Sequence, residues 1–350
     1  MSNHLTQSHK FAAMASLKDA CDPPFKEQYS SLFSDASRWS KSLDVEVMEE
    51  CELPLIDLHH LHCGREEEKM ACVAKIGRAS SQWGFFQVVN HGISAELLEA
   101  IRKEQKRLFH SPFEKKAGSK IFNESYRWGN PAATSLDQFS WSEAFHVPLS
   151  NLSESNSCNE DEFSSLREVM RKVAGAMSEL AKVLACALAE NMGSNGDCFA
   201  ENCNESTCFL RLNRYPPCPF PPATFGLVPH TDSDFLTILH QDHVGGLQLI
   251  KDSKWIAVRP NPDALIVNIG DLFQAWSNDV YKSVKHKVIT NRKVERYSIA
   301  YFLCPSYDSI IGSCRETSLY KKFTFKEFRR QVQEDVKLTG YKVGLSRFLL

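Results

Sequence analysis

From Phe209 onward the chain breaks into short apolar runs separated by turn-forming residues, and this punctuation restricts the fold more than any other feature. The runs cover 208–214, 235–240, 246–250, 254–259, 264–269, 283–289 and 297–303. Between them lie the proline-rich stretch 216–222, Gly245-Gly246, Pro260-Asn261-Pro262-Asp263 and Ser277-Asn278-Asp279. Runs of this length, bounded in this way, predict strands rather than helices. Many short strands around a buried interior predict a jelly-roll barrel. The expected class is mainly β with α: a double-stranded β-helix core flanked by helices, one of them long and central and another carboxy-terminal.

The flanking helices follow from spacing. Glu66 to Gln82 carries Met70, Val73 and Ile76 on one side, and Gly84 breaks it before a strand over Phe85–Val89. Ser94 predicts the cap of a second helix bearing Leu97, Leu98, Ile101, Leu108 and Phe109, limited by Pro112. Ser165 with Glu168 predicts a capping box for the long helix, whose stripe runs from Leu166 through Val173, Met177 and Leu184 to Leu188. Thr324 with Glu327 opens the last helix. The expected organisation is a flexible leader over 1–50, a helical and strand region over 51–195, the barrel over 205–306 and a helical end over 307–350.

Within the barrel region sit His230-Thr231-Asp232, then His286, then Arg296-Tyr297-Ser298. His230 and Asp232 are two apart, so on an extended segment both leave the same face. Two imidazoles and one carboxylate are the ligand set that holds non-haem Fe(II) with positions open to small ligands. Arg296 and Ser298 repeat the spacing, and a planar guanidinium beside a hydroxyl suits the carboxylate of an anionic co-substrate. Asn213 and Tyr215 share a face in the same way. A lone His-x-Asp triplet is weak evidence, and the chain holds a second, His240-Gln241-Asp242, which runs into His243-Val244-Gly245-Gly246. That copy reads as a solvated hairpin turn. The first precedes the apolar run Phe235–Leu239 and reads as a site at the start of a buried strand. His91 and His110 read as helix or turn residues, not ligands.

These residues resemble the plant iron and 2-oxoglutarate-dependent dioxygenases. Leu53-Pro54-Leu55-Ile56-Asp57-Leu58 and Trp83-Gly84-Phe85-Phe86-Gln87-Val88-Val89-Asn90-His91-Gly92 agree with that family's first-domain signatures, and the resemblance covers about residues 50 to 345. Leu212-Asn213-Arg214-Tyr215-Pro216-Pro217-Cys218-Pro219 and Ser140-Trp141-Ser142-Glu143-Ala144-Phe145-His146 are most similar to gibberellin 2-oxidases, of the branch acting on twenty-carbon precursors. Arg214 and Lys287 depart from the residues common at their positions. The resemblance implies iron on His230, Asp232 and His286, with dioxygen as oxidant and ascorbate in support. It implies 2-oxoglutarate held by Arg296, Ser298, Tyr215 and Asn213, Arg296 being the catalytic anchor. The implied reaction decarboxylates 2-oxoglutarate to succinate and hydroxylates carbon 2 of a gibberellin.

Strand parity sends Arg211 and Phe302 to the same interior, as a cation and a flat wall for the substrate. Arg127 and Trp128, on an aromatic and cationic loop, are further candidates for the substrate end, and Trp141 for the cavity mouth. A flavonoid or other specialised-metabolite hydroxylase is the rival enzyme, and a non-catalytic hormone-binding protein the rival from another class. The intact His, Asp, His, Arg and Ser set argues against a pure binder.

A net charge of −2 gives no footprint for nucleic acid or an anionic membrane. The twelve cysteines lack zinc-ribbon spacing and read as reduced thiols of a cytosolic compartment. The expected location is the cytoplasm, with the nucleus as a second.

Overall fold

The structure is a computed structural model that describes residues 20–33, 49–118, 122, 125–153, 162–196, 199, 203, 205–220 and 224–350. In chain order the strands are β1 (Glu50–Cys51), β2 (Leu55–Asp57), β3 (Phe85–Val89), β4 (Tyr126–Trp128) and β5 (Glu143–Pro148). There follow β6 (Phe209–Tyr215), β7 (Phe225–His230), β8 (Leu236–Gln241), β9 (Leu247–Lys251) and β10 (Lys254–Val258). The series continues with β11 (Leu265–Ile269), β12 (His286–Ile289) and β13 (Arg296–Leu303). An eight-stranded sheet has the order β2-β3-β11-β8-β13-β6-β5-β4, and a five-stranded sheet the order β1-β10-β9-β12-β7. Residues of both sheets line one cavity, as a jelly-roll requires.

Parity decides what each face of the large sheet does. On β6, Leu210 and Leu212 point outward into the main core, together with Ile238 of β8 and Ile299, Tyr301 and Leu303 of β13. The helix Ser164–Asn191 lies against this face and brings Leu166, Met177, Leu184 and Leu188, all fully buried. Truncating one of these leucines to alanine would cost about 2–5 kcal/mol through lost burial and the cavity left behind. The alternate residues, Phe209, Arg211, Asn213 and Tyr215 of β6 with Arg296, Ser298, Ala300 and Phe302 of β13, face the cavity.

Several local expectations are corrected. The Ser165–Glu168 box does not form: Ser165 Oγ donates to Glu104 at 3.0 Å and Glu168 pairs with Lys172 at 2.8 Å. The cap at Ser94 and the box at Thr324 fare differently, since Ser94 accepts from Leu97 N–H and Thr324 exchanges bonds with Glu327. β7 was hidden by Pro229 and the proline-rich stretch before it, and His230 ends that strand rather than starting the next. The segment 242–246 is no hairpin, because β8 and β9 lie in different sheets and the turn carries the chain between them. His240, Gln241 and Asp242 are buried, not solvated.

Within the stretch expected to be a flexible leader, residues 20–33 are docked: Phe25 and Tyr29 are buried against Trp128, Phe139 and Trp141. The rest of that leader, apart from residues 49 and 50, lies outside the described residues. Arg214, the departure on β6, points away from the cavity and binds Glu143 and Asp22 at 2.7 Å each and Glu295 at 2.9 Å. Lys287 likewise faces outward, with Nζ 4.0 Å from the centre of the Trp255 ring. Among the described residues no helix is long and apolar enough to cross a membrane.

Candidate metal centre and active site

His230 and His286 are direct partners on the antiparallel pair β7 and β12, which brings their side chains to one spot. Their ring centres are 4.3 Å apart. Each ring is fixed by the same device: His230 Nδ1 bonds Val228 C=O at 2.8 Å, and His286 Nδ1 bonds Val284 C=O at 3.0 Å. A carbonyl only accepts, so Nδ1 carries the proton and each Nε2 offers its lone pair to a cation. Asp232 Oδ1 lies 3.5 Å from His230 Nε2 and 3.7 Å from His286 Nε2. Its other oxygen, Oδ2, is occupied by Thr237 Oγ at 2.6 Å and Asn268 Nδ2 at 2.8 Å. One carboxylate oxygen and two imidazole nitrogens are therefore aimed at one point, which fits a divalent ion with open coordination positions.

Electrostatics agree with that fit. Burial alone would raise Asp232, but His286 and His230 hold it well below the usual carboxylate range. Burial and then the neighbouring His230 push His286 down to about 4, so it stays a neutral ligand. Asp234, close by, is held well above its ordinary value by burial and by Asp232. Thr237 Oγ sits between the two, 2.9 Å from Asp234. The turn that carries Asp232 is pinned by Lys342 Nζ, which bonds Thr231 C=O at 2.8 Å, Ser233 Oγ at 2.7 Å and Asp271 at 2.6 Å.

Beside the triad, Arg296 is almost wholly buried at 2 % exposure. Its Nη2 donates to Gln241 Oε1 at 2.8 Å, its Nη1 is 3.5 Å from Ser298 Oγ, and its guanidinium lies 5.0 Å from the centre of the Tyr215 ring. Among the described residues its Nε has no hydrogen-bond partner and no carboxylate pairs with it. A buried, uncompensated guanidinium is costly unless an anion completes it. The site thus fits a small dicarboxylate with one end toward the triad. Asn213 Nδ2 donates to Ser298 Oγ at 3.3 Å and Asn213 Oδ1 accepts from Arg211 Nε at 2.8 Å, which orders this wall.

The cavity holds about 310 Å³, within the range of small-molecule sites. Beyond the anion end its walls are Leu227, Leu239, Leu247, Phe209, Phe302 and Val332, and Phe209 stacks on Phe302 with ring centres 4.3 Å apart. Arg211 lines it from β6, and Arg329 joins from the helix Phe325–Thr339. Arg329 donates to Tyr307 Oη at 3.0 Å, and among the described residues neither guanidinium is paired with a carboxylate. Burial, then the charges of Arg211, Arg329 and Arg127, push His146 between them down to about 3.

Two expected substrate residues stand apart from the main cavity. Arg127 and Trp128 do not line this cavity: Arg127 is exposed with Nη1 on Tyr126 C=O at 2.6 Å, and Trp128 packs edge-on against Phe25, Tyr29 and Phe113. Both border a separate recess that shares only Arg211 and Leu227 with the main cavity. Trp141 is buried under Phe25 rather than covering a mouth.

Sequence reading missed Arg329, Gln241, Thr237, Asn268, Lys342 and Gly226. Thr237 and Asn268 are single polar residues inside otherwise apolar strands, a signal that was present. Gly226 has a steric reason, since a Cβ there would meet the Tyr215 ring at 2.6 Å. Gln241 aims Arg296, so Gln241→Ala should raise the 2-oxoglutarate KM about 5- to 10-fold, less than the loss of a direct charge-assisted bond because Gln241 acts on the anion through Arg296. Steady-state kinetics with 2-oxoglutarate varied would check this.

Residues 206–305 match the model of the 2OG-Fe(II) oxygenase superfamily, and residues 53–169 match that of the non-haem dioxygenase in morphine synthesis N-terminal region. The chain is 57% identical over 338 residues to Gibberellin 2-beta-dioxygenase 8 of Arabidopsis thaliana, spanning 94% of this chain and 98% of that one. It is 58% identical over 306 residues to Gibberellin 2-beta-dioxygenase 6 of Oryza sativa subsp. japonica, covering 85% of each. The solved structure of JOX2 in complex with 2OG, Fe and JA superposes with a TM-score of 0.67 at 34% identity, over 81% of this chain and 85% of that one. The cofactors are Fe(II) and 2-oxoglutarate, and the chain belongs to the 2OG-Fe(II) oxygenase superfamily as a 2-oxoglutarate-dependent dioxygenase.

Proposed function

We propose that this dioxygenase hydroxylates gibberellins at carbon 2, an inactivating step, and that twenty-carbon precursors are its preferred substrates. Supporting the first part are four relatives named gibberellin 2-beta-dioxygenases, at 42–58% identity over most of the chain. A flavanone 3-dioxygenase of rice matches at 33%. The observation that carries the reading is the pairing of apolar walls with two guanidiniums, Arg211 and Arg329, that have no carboxylate partner among the described residues, in the same cavity as the triad. A gibberellin is a rigid, mostly apolar carbocycle bearing carboxylate, and such a cavity complements it.

In this reading His230, Asp232 and His286 would hold the iron, which supplies the centre where dioxygen and 2-oxoglutarate react. Arg296 and Ser298 bind the far carboxylate of 2-oxoglutarate, and Tyr215 bounds its chain. Phe302, Phe209 and Val332 exclude water from the carbon to be oxidised. Arg211 and Arg329 orient the substrate by its carboxylate. One oxygen atom enters the substrate C–H bond, and the other enters the succinate formed as carbon dioxide leaves.

The deciding experiment incubates the purified protein with Fe(II), ascorbate and 2-oxoglutarate, and a panel of nineteen- and twenty-carbon gibberellins and flavanones, with products identified by mass. A 2-hydroxylated twenty-carbon product formed fastest supports the whole proposal. Preference for nineteen-carbon substrates sinks the finer part, and turnover of a flavanone alone sinks the gibberellin reading. Arg211→Ala and Arg329→Ala should each raise the substrate KM about 5- to 30-fold, or about 1–2 kcal/mol, because Arg211 is only half-buried and solvent moderates the loss. Substrate-free decay of 2-oxoglutarate should be unchanged in both.

A further inference from the structure

The iron ligand His230 stands on β7, the outermost strand of the five-stranded sheet. An edge strand leaves one row of backbone groups without a strand partner. Here that row is covered by two residues from the segment before β5. Trp141 N–H donates to Phe225 C=O at 2.8 Å, and Val228 N–H donates to Ser140 Oγ at 3.3 Å. Val228 is the residue whose carbonyl fixes His230 Nδ1. The covering segment is itself held from outside. Phe25 stacks on Trp141 with ring centres 4.5 Å apart and planes 21° apart, and Tyr29 lies 4.5 Å from Phe139. These rings form a cluster separate from the main core, to which the body of the fold contributes Phe139, Trp141 and Cys218. The segment carrying Phe25 is tied down at its start: Phe113 N–H donates to Ala20 C=O at 2.9 Å, Lys116 Nζ to Cys21 C=O at 2.7 Å, and Asp22 pairs with Arg214.

We propose that residues 20–33 form a strap that positions the metal-bearing edge strand, with Phe25, Trp141 and Ser140 as positioning residues for the His230 imidazole. Phe25 stacks on Trp141, which bonds Phe225; Ser140, the residue before Trp141, bonds Val228, and Val228 in turn bonds His230. Groups that orient a metal-bound imidazole commonly affect metal affinity 10- to 100-fold when removed, and these residues act one or two contacts further out.

The test uses the full-length apoprotein and Co(II) alone, titrated by its visible absorption against a competing chelator. Phe25→Ala should weaken Co(II) binding about 5- to 20-fold and Ser140→Ala about 3- to 10-fold, with Phe25→Leu within twofold of wild type. Leu184→Ala, in the long helix on the other side of the large sheet, supplies a control that lowers Tm without touching the strap. Its Co(II) affinity should stay within twofold of wild type. Should Phe25→Ala not fold, Ser140→Ala and Phe25→Leu carry the comparison. The proposal is overturned if Ser140→Ala binds Co(II) as wild type does. It is also overturned if Leu184→Ala loses as much affinity as Phe25→Ala at equal loss of Tm.

Discussion

Alanine at His286 is expected to abolish turnover, lowering kcat/KM by on the order of 10³ or more, because the bound metal carries the hard chemistry and a two-ligand site does not retain it. The fold should survive. His286 touches Phe85 and His230 at the rim of the barrel cavity, and the main core formed by the long helix does not include it. The same result is expected for His230→Ala and Asp232→Ala. Asn268→Ala should cost about 10- to 100-fold in metal affinity, since it frees the Asp232 oxygen that Asn268 now holds. His240→Ala is the contrast. His240 is equally buried but bonds Arg102 Nη2 at 2.9 Å and lies outside the cavity lining, so its loss should lower Tm and leave Fe(II) affinity intact. Anaerobic Fe(II) titration with circular dichroism melts separates the two effects. An inactive His240→Ala beside an active His230→Ala would assign the metal to the wrong triplet.

That contrast shows where sequence reading carried and where it stopped. Spacing alone put Arg296 and Ser298 on one face and Arg214 on the other, because strand parity is a local property of the backbone. Parity also separated Arg211, Asn213 and Tyr215 from Leu210 and Leu212. Parity was silent on Arg127 and Trp128, read as a loop, and the surroundings of Trp128 depend on Phe25 and Tyr29, a hundred positions earlier. The strand β7 was obscured because Pro229 and the proline-rich approach read as turn, although prolines are tolerated on edge strands. Burial of His240-Gln241-Asp242 was illegible for a related reason. Whether a polar triplet is solvated or satisfied inside depends on partners such as Arg102 and Arg296, which only the tertiary fold supplies. Arg329 belongs to the same class, as a charged residue on an amphipathic helix whose aim is set by how that helix docks.

Lysine at Arg296 is expected to raise the KM for 2-oxoglutarate about 10- to 150-fold, equivalent to about 1.5–3 kcal/mol for a charge-assisted bond. The guanidinium does three things at once in this site. It donates to Gln241, reaches toward Ser298, and lies over the Tyr215 ring with Nε left for an anion. A lysine keeps the charge but places it at one point, so it can serve one of these partners while losing the planar fork that matches a carboxylate. The effect should appear in the 2-oxoglutarate KM, with Fe(II) affinity unchanged, because Arg296 makes no hydrogen bond to His230, Asp232 or His286 among the described residues. Succinate should still form at saturating co-substrate. If the lysine variant keeps the wild-type KM, charge alone suffices and the fork geometry contributes nothing. If its Fe(II) affinity falls in parallel, Arg296 shapes the metal centre instead, and the anion must be held by Ser298 and Tyr215 without it.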